Sequence, residues 1–122
     1  MKILIIDDEE DIRQIARFAL NKVANWDVLE ASSGEEGLQL AIENSPDGIL
    51  LDVLMPGQDG PATLEGLKNN GATQHIPVVF LTARGLPAEV QRLKKLGAIG
   101  VITKPFDPMT LAEEMSTILR GN

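Results

Sequence analysis

Residues 2–23, KILIIDDEEDIRQIARFALNKV, set two apolar patterns back to back. Ile3 to Ile6 is an apolar run of strand length. Asp7, Asp8, Glu9, Glu10 and Asp11 stop it at once, and from Ile12 the apolar residues return at steps of three and four: Ile12, Ile15, Ala16, Ala19, Leu20 and Val23. That spacing lays one apolar stripe along a helix. A strand that feeds directly into a helix, with a knot of acids between them, is the unit that the rest of the chain repeats.

Further apolar runs of strand length lie at Gly48 to Leu51, Pro77 to Leu81 and Ala98 to Ile102, with a shorter one around Val28 and Leu29. The count is five strands. The third and fourth are apolar at successive positions, as strands covered on both faces of a parallel sheet tend to be. Between the runs lie helical segments. Ser33 to Asn44 opens with Ser33 as N-cap and Glu36 three residues on, a capping box, and continues through Leu38, Ala41 and Ile42. Pro61 to Asn69 and Pro87 to Leu96 each place a proline in the first turn, where its missing N–H does no harm. A last helix is expected from Pro108 to Leu119, with Leu111, Met115, Ile118 and Leu119 on one side.

Strand then helix, five times over, implies a parallel sheet with helices on both faces, because each crossover is right-handed and returns the chain to the sheet. The expected class is α/β, doubly wound. Gly121 and Asn122 follow the fifth helix, so a single domain over residues 1–122 is expected, with no output domain.

The chain has 122 residues, 43% of them hydrophobic and 24% charged, enough for one core and one principal site. A net charge of -7 argues against direct binding to nucleic acid, which needs a basic patch. Without cysteine there are no disulfides, thiolate metal sites or cysteine nucleophiles. The opening apolar run is too short for a signal peptide core or membrane insertion, so a cytoplasmic protein is expected. Trp26, Phe18, Phe80 and Phe106 are read as packing residues. His75, the one histidine, lies in a polar loop and is read as solvated, not as a ligand.

In an open parallel sheet, ligands bind beyond the carboxyl ends of the strands, near the point where the winding reverses. There the sequence places Asp7 and Asp8 after strand one, Asp52 after strand three, Thr82 after strand four, and Thr103 and Lys104 after strand five. Taken singly each has an ordinary role as a cap, a strand end or a solvated charge. Together they put three carboxylates, a hydroxyl and an ammonium in one small cleft. Three carboxylates so close raise a pKa or cost stability unless a cation joins them. All-oxygen ligands with room for water and phosphate oxygens suit Mg2+, with Mn2+ as a substitute, better than calcium or zinc. A carboxylate, a hard metal and a lysine make a phosphoryl-transfer site in which Asp52, on the central strand, is the natural nucleophile.

Four segments, KILIIDDEEDI at 2–12, ILLDVLMPGQDG at 49–60, VVFLTA at 78–83 and GVITKPF at 100–106, resemble in order and spacing the signatures of the response-regulator receiver domain. The resemblance spans essentially the whole chain. It implies a flavodoxin-like five-stranded sheet of order 2-1-3-4-5. It implies Asp52 as phosphoacceptor, Asp8 as direct magnesium ligand, Asp7 holding the metal largely through water, and the carbonyl of Leu54 completing the ligand set. Thr82 would hydrogen-bond the phosphoryl group, Lys104 would pair with it, and small Ala83 would admit it and offer an N–H. The Lys104–Pro105 bond is expected to be cis, with Pro56, Gly57, Asp59 and Gly60 forming the turn after the phosphoacceptor strand. The implied donor is a phosphohistidine on a sensor histidine kinase or histidine phosphotransfer protein, approaching along helix one and the loop after strand five. The output is altered binding of a downstream protein. Val101 stands where such domains often carry Tyr or Phe, so activation is expected through helix four and the loop around Thr82 and Arg84.

Three other readings rank lower. Haloacid-dehalogenase phosphohydrolases place an acid two residues after their nucleophile, where this chain has Leu54, so turnover of an external phosphoester is not expected and the chain is read as a switch, not an enzyme. A flavin binder is disfavoured by 3% aromatic content and an acidic first loop. A degenerate receiver serving as a phosphorylation-independent scaffold is disfavoured by the complete set Asp7, Asp8, Asp52, Thr82 and Lys104.

Overall fold

In the computed structural model, which describes residues 1–121, strands and helices alternate throughout. The order is β1 (Lys2–Ile6), α1 (Glu10–Arg17), β2 (Asp27–Ala31), α2 (Gly34–Asn44), β3 (Gly48–Asp52), α3 (Gly60–Lys68), β4 (Val78–Thr82), α4 (Pro87–Lys95), β5 (Gly100–Thr103) and α5 (Leu111–Leu119). The strands form one parallel sheet in the order β2-β1-β3-β4-β5, as expected. β1 therefore sits between β2 and β3, and the winding reverses there. No helix among the described residues is long and apolar enough to cross a membrane.

The unbroken apolar strands follow from having two cores. Successive side chains of a strand point to opposite faces. Leu4, Ile6, Ile49, Leu51, Val78 and Phe80 pack with Leu64, Leu67 and Leu93 on one face, beneath α2, α3 and α4. Ile3, Ile5, Leu50, Val79, Leu81 and Ile102 pack with Ala16, Leu20, Leu111 and Met115 on the other, beneath α1 and α5. Every residue of β3 and β4 is buried. Truncating one of these fully enclosed leucines to alanine costs about 2–5 kcal/mol, so the strands that carry the site rest on a stiff base.

Four details differ from the sequence reading. The first helix is α-helical only to Arg17 and continues as a π-helix over Phe18–Val23. The wider turn brings adjacent Ala19 and Leu20 against the sheet and turns Val23 out. Ile15 and Phe18 are also exposed, Phe18 by 51%, so the stripe is narrower than its spacing implied and Phe18 is not a packing residue. The last helix begins at Leu111, not Pro108, because Asp107 first builds a turn. Its carboxylate accepts from the Met109 amide at 2.8 Å and its carbonyl from Thr110 at 3.1 Å. In the capping box the Ser33 hydroxyl accepts from the Glu36 amide at 3.1 Å, but the Glu36 carboxylate turns back to the amide of Ser32, not Ser33. Finally, β4 and β5 are shifted by one or two residues toward the site, ending at Thr82 and Thr103.

Candidate functional site: an acidic cleft at the strand ends

Parallel register aligns the strand ends that carry the chemistry. Ile6 stands beside Leu51, Asp52 beside Leu81 and Thr82 beside Thr103. The ladder runs one residue further, through Asp7 N–H to the Ala31 carbonyl at 3.1 Å, Val53 N–H to Leu81 at 3.1 Å and Lys104 N–H to Thr82 at 2.7 Å. Asp7 and Asp52 are thus held by sheet hydrogen bonds, and both are buried, whereas Asp8 is exposed. One carboxylate oxygen from each of Asp7, Asp8 and Asp52 lies within 4.8 Å of the others. Lys104 Nζ lies 3.2 Å from Asp7 Oδ2, 3.3 Å from Asp52 Oδ1 and 3.3 Å from Glu9 Oε1. The Lys104–Pro105 bond is cis.

The mouth is a cleft of about 160 Å³ lined by Glu9, Asp52, Val53, Leu54, Thr82, Ala83 and Lys104. Leu54 extends its side chain into solvent. The hydroxyl oxygen of Thr82 accepts from the Arg84 amide at 3.0 Å, which ties it to the loop leading into α4. Below the cleft, Gly60 lets the first turn of α3 approach β3: a Cβ there would overlap the carbonyl oxygen of Asp52. Gly57, with φ of +75°, makes the turn between them. Asp59 caps α3 by accepting from the Ala62 amide at 2.9 Å.

Burial in the company of like charge dominates the electrostatics. Removal from water, and then the charge of Asp7, push the Asp52 carboxyl from 3.8 up to about 6, against the pull of Lys104. Burial likewise raises Asp7, opposed by the Glu9 amide and by Lys104. For Lys104, burial works against the charge, but the carboxylates of Asp7 and Asp52 outweigh it and its pKa rises. Among the described residues, Asp7 Oδ2 is enclosed with no hydrogen-bond partner, and its cationic neighbour is Lys104, ion-paired at 3.2 Å. A buried carboxylate oxygen left in this state, beside two more carboxylates, fits a hard divalent cation.

All five side chains singled out from the sequence, Asp7, Asp8, Asp52, Thr82 and Lys104, meet at this one edge, while His75 is exposed in the turn before β4. Two participants were not singled out. Glu9, read only as part of an acidic run, contacts Lys104. Arg13 donates to the Asp7 carbonyl at 2.8 Å and pairs with Glu30 of β2 at 3.3 Å. Sequence holds no signal for that arginine beyond its place on the first helix.

Comparison with known proteins agrees with the geometry. The response regulator receiver domain matches residues 3–116. The phosphate regulon transcriptional regulatory protein PhoB of Pseudomonas aeruginosa is 36% identical over 118 residues, covering 97% of this chain and 51% of that protein. The chain thus spans about half the length of that regulator. Chemotaxis protein CheY1 of Helicobacter pylori is 32% identical over 100% of this chain and 99% of its own. Among solved structures, the chemotaxis response regulator CheY4 of Vibrio cholerae superimposes with a TM-score of 0.89 at 32% identity, over 96% of this chain and 97% of that one. With the acidic cleft at the switch point of a 2-1-3-4-5 sheet and these matches along almost its full length, the chain belongs to the response-regulator receiver family, the signalling switches of two-component systems.

Proposed function

We propose that Asp52 accepts a phosphoryl group from a phosphohistidine of a sensor histidine kinase or histidine phosphotransfer protein, and that the acyl phosphate alters binding of a downstream protein in the cytoplasm. The observation that carries this reading is the Asp52 carboxylate at the floor of an open cleft, with Asp7 and Asp8 within 4.8 Å and Lys104 at 3.3 Å. An Asp52 oxygen attacks phosphorus in line with the departing imidazole nitrogen; the O–P bond forms as the N–P bond breaks. Lys104 neutralises charge on the phosphoryl oxygens, the Ala83 amide donates to one, and the Thr82 hydroxyl turns toward another. Asp7, Asp8, Asp52 and the carbonyl of Leu54 would hold Mg2+, which supplies further neutralisation of the transferring group.

The switch follows from Thr82. Its hydroxyl oxygen now accepts from Arg84, so turning toward a phosphoryl group releases the loop that leads into α4. That helix commits only Leu93 to the core, so few buried contacts oppose its movement. Val101, packed against the same core cluster, is not a rotating ring. Accordingly Val101→Ala should retain the phosphorylation-dependent change in amide exchange over residues 84–95, and loss of that change with the fold intact would refute the route.

The test of the acceptor is intact mass after incubation with a small phosphodonor and Mg2+. A gain of one phosphoryl group, absent in Asp52→Asn and with a chelator, is expected. No gain under conditions that modify an established receiver would favour a phosphorylation-independent scaffold.

A further inference from the structure

Glu9 has no part in the chemistry above, yet it holds one of the three carboxylates on Lys104. Its position makes the contact unusual. Glu9 is the N-cap residue of α1, where side chains ordinarily accept from the free amides of the first turn. It makes no such bond. Its carboxylate instead crosses the cleft to accept from Lys104 Nζ at 3.3 Å, 95 residues along the chain.

The Lys104 ammonium donates a hydrogen bond to Glu9 and is ion-paired with Asp7 at 3.2 Å and Asp52 at 3.3 Å, so three carboxylates surround it. An arriving phosphoryl group brings about two further negative charges. For Lys104 to turn to it, one carboxylate must let go. Asp7 cannot leave: it is fully buried, its Oδ1 accepts from the Glu9 amide at 2.9 Å, and its carbonyl is held by Arg13. Asp52 is the acceptor itself. Glu9, with a side chain 60% exposed, is the one free to swing into water.

We propose that Glu9 is a displaceable counter-ion that occupies Lys104 in the resting cleft and competes with the incoming phosphoryl group. It thereby sets the rate of loading and disfavours the more highly charged small phosphodonors. The inference rests on Asp52 being the phosphoacceptor. Its neighbours Glu10 and Asp11 are equally acidic but lie in the first turn of α1 without contact to Lys104, so the effect belongs to the contact and not to the acidic run.

The experiment is the rate of phosphoryl adduct formation, read by intact mass at saturating Mg2+ and limiting donor, for wild type, Glu9→Gln and Glu10→Gln. Acetyl phosphate, a dianion near neutral pH, and phosphoramidate, a monoanion, are the donors. Glu9→Gln should load from acetyl phosphate about fivefold faster, the size expected when one solvent-exposed unit charge several ångströms from an incoming dianion is removed. The gain should be smaller with phosphoramidate and shrink in about 1 M salt. Glu10→Gln should stay within about twofold of wild type. If wild type is loaded and Glu9→Gln is no faster, or Glu10→Gln accelerates equally, the inference is overturned while the acceptor stands. If wild type takes up no phosphoryl group from either donor, the acceptor falls and Glu9 with it.

Discussion

Replacing Asp52 by Asn should stabilise the metal-free protein at neutral pH. The Asp52 carboxyl has an ordinary value of 3.8 and is held at about 6 in the fold, chiefly by burial and then by Asp7. The folded chain therefore binds this proton more tightly than the unfolded one, so stability falls as pH rises across that window. At about 1.4 kcal/mol for each tenfold change in proton affinity, the full penalty above pH 6 is about 3 kcal/mol. Asn removes the charge but keeps the shape, while Lys104 retains Asp7 and Glu9 as partners. A gain of about 1–3 kcal/mol is expected after allowing for the lost ion pair, or a melting temperature higher by roughly 5–10 °C. Urea unfolding in the presence of a chelator at pH 4, 5, 6 and 7 is the assay. The two proteins should converge near pH 4 and separate to the full difference by pH 7. A gain independent of pH, or a loss of stability at pH 7, would refute the reasoning.

Three further outcomes follow from the same cleft. Saturating Mg2+ should raise the stability of wild type by about 2.7 kcal/mol at a hundredfold excess over its dissociation constant, and Asp8→Asn should remove most of that gain while leaving metal-free unfolding unchanged or slightly improved. Calorimetric titration with thermal melts checks both. Lys104→Met removes the cation that Asp7, Glu9 and Asp52 share, and should cost about 1–3 kcal/mol at pH 7, a loss that shrinks as pH falls below about 6 and Asp52 takes up its proton. Gly60→Ala would drive a methyl group into the Asp52 carbonyl oxygen, so urea unfolding should show a loss of about 1–3 kcal/mol and intact mass a slower phosphoryl uptake.

Much of this was legible in the sequence because strand ends in a parallel sheet are a predictable place. Runs such as Ile3 to Ile6 and Gly48 to Leu51 mark where each strand stops, and the polar residue after each stop is carried to one edge by topology alone. Asp7, Asp52, Thr82 and Lys104 could therefore be grouped without coordinates. What could not be read depends on side-chain reach across that edge. Glu9 is one acid among five in a row, and only the fold places its carboxylate against a lysine 95 residues away. Arg13 bonds a backbone carbonyl, which leaves no trace in residue type. The π-helical turn at Phe18–Val23 escaped for a related reason: three-and-four spacing fits an α-helix equally well, and the choice is made by packing Ala19 and Leu20 side by side against the sheet. Likewise the start of α5 at Leu111 depends on the local turn at Asp107, which competes with the proline signal at Pro108.

The most direct measurement of the central claim is peptide mapping after borohydride reduction of the loaded protein, which converts an aspartyl phosphate to homoserine. Conversion confined to residue 52, dependent on Mg2+ and on the phosphodonor, is the predicted result. Conversion at Asp7 or Asp8, or a loaded protein in which residue 52 remains aspartate, would contradict it.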